Sequence, residues 1–174
     1  RVDTLLRLRR EDQIGREGLA QGAAAQDTAT LFVSLRADSA RTRWLRTSVA
    51  RAGWPSRTSA GDSAERAAWL IVQHSPDTAW QATMLSDLER LPTGTELPKA
   101  DVALLTDRIL VHCGQPQRSG SQFDLADGRL VPQPVEDIAG LDARCAGVGL
   151  PPIAEKVRLL AEQTMPQVVR PPRR

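Results

Sequence analysis

The stretch Pro98-Lys99-Ala100-Asp101-Val102-Ala103-Leu104-Leu105-Thr106-Asp107-Arg108-Ile109-Leu110-Val111-His112-Cys113 decides how this chain is built. Proline is well suited to a first helical turn, and Gly114 supplies the stop. Between them Val102, Leu104, Leu105, Ile109, Leu110 and Val111 leave no wide polar face, so the segment predicts a central helix. Thr106-Asp107-Arg108 are set inside it. A buried carboxylate or guanidinium costs several kcal/mol unless it is paired and hydrogen-bonded, so both charges need compensation. Successive helical residues diverge by about 100°. Asp107 and Arg108 are therefore expected to find partners on different neighbouring helices, with Asp12, Gln13, Arg16 and His74 as the candidates.

Towards the amino end, Leu5, Leu8 and Asp12 at helical spacing predict an amphipathic helix from Val2 to about Glu17, its polar end carrying Asp12, Gln13 and Arg16. Gly18 to Ala25 is expected to be a small-residue loop. Asp27 or Thr28 caps a second helix through Leu31, Leu35, Leu45 and Val49, with a break near Asp38-Ser39 and a stop at Gly53 and Pro55. After a loop from Ser56 to Gly61, Asp62 or Ser63 caps a third helix, in which Ala67, Leu70, Ile71 and His74 form an inward stripe. Ser75-Pro76 begins a fourth, reaching Leu91 through Trp80, Met84 and Leu88.

Towards the carboxyl end, residues 122–125 and 129–131 flank Asp127-Gly128, a hairpin turn signal, and Pro132 and Pro134 end the second arm. Short helices are expected over residues 138–146 and 152–164. The fold class is thus mainly α: a single compact domain of about six or seven helices over residues 1–165, with a small β-hairpin near residues 122–131. The Pro- and Arg-rich residues 166–174 are expected to be a flexible tail.

Composition excludes several classes of function. The 174 residues are 41% hydrophobic and 25% charged, which suits a folded globular chain. The net charge is only +2, with Arg interleaved among acids rather than gathered on one face, so nucleic acid is not an expected partner. The longest apolar run, Ala67 to Val72, is far too short to span a bilayer, so no membrane association is expected. Cys113 and Cys145 make no CxxC pair and suit a reducing, cytoplasmic setting. Beginning at Arg1 rather than Met, the sequence is expected to be part of a longer chain.

The candidate chemistry follows from residue type. His74 is the expected acid–base group, although a histidine on an apolar helix face can equally be a satisfied core residue. Gln115, Gln117 and Gln122 present donors and acceptors without charge, which suits amides, carbonyls or hydroxyls. Gly114 and Gly120 beside them allow close backbone approach. His112-Cys113 has no second ligand at suitable spacing, so no metal is expected, and no phosphate- or dinucleotide-binding motif occurs, so no cofactor is expected. Glu136, Asp137 and Asp142 can be read as acid–base groups or metal ligands, or more economically as a surface turn and a helix cap.

Several of these residues form an ordered series: Asp12-Gln13 with Arg16, Gly53-Trp54-Pro55, Trp69 to Gln73-His74, Leu105 to Arg108, Gln115-Pro116-Gln117, Gly120 with Gln122, and Pro134 to Asp137. The series resembles a widespread bacterial family of unknown function marked by QH, TDR and PQ-YGTQ-like motifs. It covers most of the chain, from about Asp12 to about Ile153. The resemblance implies that these residues belong together; it implies no reaction. Two positions depart from the pattern. Ser119-Gly120-Ser121-Gln122 stands where the family has Tyr-Gly-Thr-Gln, and Cys145 stands where an Arg is expected, which points to a changed ligand or a specialised role such as a biosynthetic step.

Three functions compete. In the first, His74, Asp107 and Arg108 are catalytic, and Asp12, Gln13, Arg16, Gln115, Gln117 and Gln122 bind a small polar or peptide-like substrate. His74 moves the proton, Asp107 orients or ionises its partner, and Arg108 holds a carboxylate or developing oxyanion in a cofactor-independent hydrolysis or group transfer. In the second, the same pocket binds without turnover. In the third, the polar residues dock helices, and function lies on a surface that meets another protein.

Overall fold

The computed structural model describes residues 1–24, 28–90, 97–126 and 129–164. The expected cap Asp27, the Leu91 end of the fourth helix, the turn Asp127-Gly128 and the tail lie outside the described residues. The chain divides into two compact units, Arg1–Glu96 and Leu97–Arg174.

The first unit contains α1 (Val2–Ala24), α2 (Thr28–Ala52), α3 (Arg57–Ala60), α4 (Asp62–Gln73) and α5 (Thr78–Glu89). α1, α2 and α4 pack against one another, and α3 and α5 lean on α4. The apolar stripe Ala64, Ala67, Ala68, Ile71 and Val72 of α4 is buried together with Leu5, Leu8 and Leu45. Full burial of such a Leu or Ile contributes about 1.5–3 kcal/mol.

Local signals misplaced several boundaries. The expected loop from Gly18 is helical as far as Ala24, where Leu19, Ala20, Gln21, Ala23 and Ala24 are all strong helix formers. α2 runs without a break at Asp38. The Asp38 carboxylate, a group that can compete for nearby backbone N–H, is held instead by two guanidiniums, at 2.7 Å from Arg16 and 2.9 Å from Arg41. The Ser56–Gly61 loop contains a short helix, with Ser56 accepting from the Ser59 N–H. α5 starts after Asp77 rather than at Pro76, because Asp77 Oδ1 caps the Trp80 N–H at 2.9 Å.

The second unit contains α6 (Lys99–His112), β1 (Phe123–Ala126), β2 (Arg129–Pro132), α7 (Leu141–Val148) and α8 (Ile153–Thr164). The strands form an antiparallel hairpin, with Phe123 opposite Pro132 and Ala126 opposite Arg129. α7 packs on α6, and α8 on β2. The buried side chains of α6 are Asp101, Ala103, Leu105 and Asp107, while Leu104, Ile109, Leu110 and Val111 are half-buried. α7 begins three residues later than its expected start at Ile138, because Asp137 holds the Ala139 and Gly140 N–H groups in a turn. The architecture is mainly α with one small hairpin, as the periodicities predict. Among the described residues no helix is long and apolar enough to cross a membrane.

Candidate functional site

Three helices of the first unit bring a charged cluster together. Asp12, on α1, is 1% exposed. Its carboxylate lies 2.9 Å from His74 Nδ1 and 3.0 Å from the amide of Gln13. Arg16 reaches Asp12 at 3.4 Å and Asp38 at 2.7 Å, and Arg41 reaches Asp38 at 2.9 Å and Asp12 at 3.7 Å. Two carboxylates and two guanidiniums thus alternate in a closed ring, with histidine attached at Asp12. The spacing follows from the helices: Asp12 and Arg16 are one turn apart on α1, and Asp38 and Arg41 one turn apart on α2.

His74 caps the carboxyl end of α4 rather than sitting within its inward stripe. Its side chain keeps 18% of its surface exposed. The ring's hydrogen bonds among the described residues all run through Nδ1. An Nδ1–H donated to a carboxylate places the lone pair on Nε2 and orients the ring.

Burial alone would raise the Asp12 carboxyl. The hydrogen bond and charge of His74, the charge of Arg16 and the Gln13 amide outweigh it and hold the group below its ordinary value of 3.8. Beside the ring lies a cleft of about 310 Å³, whose walls include Asp12, Gly15, Arg16, Val33, Ser34 and Arg41. His74 is the partner of one of those walls rather than a wall itself.

The second unit gathers a different set. Asp107 is 0% exposed, and its compensation comes from backbone rather than from side chains of other helices. Oδ1 accepts the Arg118 and Ser119 N–H groups at 2.8 and 3.0 Å, and Oδ2 accepts those of Ser119 and Ser121 at 3.1 Å each. Gln117 is equally engaged. Its Nε2 donates to the carbonyls of Gln122 and Gln133 at 2.9 and 2.8 Å, and its Oε1 accepts the Gln122 N–H at 2.8 Å. The two side chains together fasten the 117–122 loop to α6 and to the hairpin. Gln122 contributes mainly backbone, its amide reaching Ser121 Oγ at 3.1 Å. Arg108 is half-buried on α6, and Gln115 is exposed.

Gly120 completes the loop with φ at +61°, and a Cβ there would stand 3.0 Å from Ile153 Cδ1. Asp137 is a turn staple. The Arg144 guanidinium at 2.8 Å and the backbone N–H groups of Gly140 and Ala139 hold its carboxyl below the ordinary value. Asp142 accepts the Ile153 N–H at 2.9 Å, joining α7 to the start of α8. Among the described residues no group of three or more His, Cys, Asp or Glu side chains is placed to hold a metal ion.

Sequence reading passed over Asp38, Arg41 and Lys156. The Asp38-x-x-Arg41 spacing was the available signal for the first two, but Asp38 was read as a helix break. Nothing local marks Lys156, whose surroundings come from residues far away in sequence.

No curated protein and no solved structure matches the chain. The model of a family described as "Family of unknown function (DUF6624)" matches residues 2–168, so the chain belongs to that family.

Proposed function

We propose that the Asp12–His74 pair is the acid–base element of a cofactor-independent hydrolase or group-transfer enzyme acting on a small, polar, anionic or peptide-like substrate. The observation that carries this reading is a buried carboxylate 2.9 Å from Nδ1 of a histidine that still reaches solvent. Such a carboxylate fixes the tautomer and stabilises the imidazolium formed when Nε2 takes a proton from water or a substrate hydroxyl. In this reading Arg16, 30% exposed, meets substrate charge, with Gln13 beside it as a neutral donor. The nucleophile in this scheme is water in hydrolysis or the acceptor's hydroxyl in group transfer. Two unpaired cysteines suit a cytoplasmic setting.

A second reading is favoured by the closure of the ring: its charges cancel when His74 is neutral, as in a network that only docks α1, α2 and α4. The cleft would then bind ligand without turnover, or nothing at all. Chromogenic ester, amide, phosphoester and glycoside substrates assayed with the wild type and with His74→Gln separate the readings. An enzyme loses about two to four orders of magnitude in rate with ligand binding kept. No turnover of any substrate class by the wild type, or turnover undiminished in His74→Gln, overturns the proposal.

A further inference from the structure

In the second unit α8 carries a lysine whose ammonium, among the described residues, has no carboxylate partner. Lys156 is 7% exposed. Its Nζ donates to the Ser119 carbonyl at 2.5 Å and to Cys145 Sγ at 3.0 Å. Among the described residues it has no further partner and no carboxylate. An ammonium carries three N–H donors, so one is left over. A carbonyl and a thiol supply dipoles but no compensating charge, and a buried ammonium is costly until an anion reaches it.

The same lysine lines a cleft of about 260 Å³ whose other walls include Leu104, Phe123, Leu150, Pro151 and Leu159. Ser121 is the other polar wall, and its N–H is already taken by Asp107. The cleft is thus apolar along its length with one positive group, and its volume is just below the roughly 300–1,000 Å³ of drug-sized sites.

We propose that this cleft binds a small amphiphilic carboxylate, with its alkyl or aryl body against Leu104, Phe123 and Leu159 and its carboxylate on Lys156 Nζ. The cleft shares no residue with the Asp12–His74 cluster, and the proposal does not depend on that cluster being catalytic.

Calorimetric titration with octanoate, 1-octanol and octylammonium, backed by amide chemical-shift mapping, tests it. A charge-assisted hydrogen bond makes octanoate bind about 10- to 100-fold tighter than octanol, and octylammonium weakest of the three. Each methylene from butanoate to octanoate tightens binding about fourfold until the cleft is filled. Lys156→Met removes the preference for carboxylate while octanol binding persists. Should that variant fail to fold, Leu159→Trp fills the cleft from a partly exposed wall and abolishes octanoate binding in a folded protein. The proposal is overturned if octanoate does not bind, if it binds no tighter than octanol or octylammonium, or if its shifts miss Phe123 and Leu150. Equal binding of a hydrophobic peptide as free acid and as amide also overturns it, since the cleft would then be an apolar docking surface without head-group selection.

Discussion

Replacing Asp107 by Asn changes one atom at a site where geometry sets the outcome. The carboxylate divides three backbone N–H groups between two oxygens: Arg118 on Oδ1, Ser121 on Oδ2, and Ser119 on both. Asparagine keeps only one oxygen. In one orientation its NH₂ confronts the Ser121 N–H, and in the other the Arg118 N–H, so at least one buried donor is orphaned whichever rotamer is chosen. A hydrogen bond to a charged group contributes about 1.5–3 kcal/mol, and an orphaned buried donor costs about 1–3 kcal/mol. These overlap, and the bonds that survive weaken once the charge is gone, so the expected loss is about 2–4 kcal/mol. Urea unfolding reads this as a midpoint lowered by about 1–2 M. Amide exchange locates it, because protection should fall first at residues 118, 119 and 121. A midpoint within about 0.3 M of wild type, with those three amides protected as before, would show that Asp107 does not organise the loop.

Asp12 makes a prediction in pH. Its folded-state value is held below 3.8, so the unfolded chain takes up the proton first. The stability contributed by its charge is complete above about pH 5 and is lost as the pH falls through the folded value. Asp12→Asn should be less stable than wild type at neutral pH and should lose part of the acid slope; melts from pH 7 to pH 2.5 that stay parallel would contradict the shift. Gly120→Ala should cost about 1–3 kcal/mol, since alanine is strained at a φ of +61° and its Cβ meets Ile153 at 3.0 Å. A thermal midpoint equal to wild type would mean that the loop relaxes without cost.

Legibility in the sequence followed the range of the physics involved. The helices through Leu5 and Leu8, through Ala67 and Ile71 and through Leu105 were predictable, because a 3.6-residue apolar period is carried by the segment itself. So was the hairpin, from two short runs around Asp127-Gly128. Ends were less predictable. Asp77 took the cap that Ser75-Pro76 suggested, and Asp137 delayed α7, because each competes with neighbours for the same few N–H groups. At the candidate sites the residue types were readable and the partnerships were not. His74 and Asp12 were named, but Arg41 and Asp38, which close the ring, were missed. Asp107 was expected to find its partners on neighbouring helices and Gln117 to bind substrate, yet the groups they bind are backbone N–H and C=O of a nearby loop and of the hairpin.

By itself the sequence determined that the chain is mainly helical, where its hairpin lies, and that Asp107 demands compensation, since each follows from local period, turn chemistry or the cost of burying charge. Only the tertiary structure decided what answers each demand. Asp107 is met by three N–H groups of the 118–121 loop, His74 by a carboxylate 62 residues away, and Lys156 by a carbonyl and a thiol that, among the described residues, leave one donor over. A side chain's need is written in its own chemistry, whereas its partner depends on which distant atoms the packed helices bring within about 3 Å.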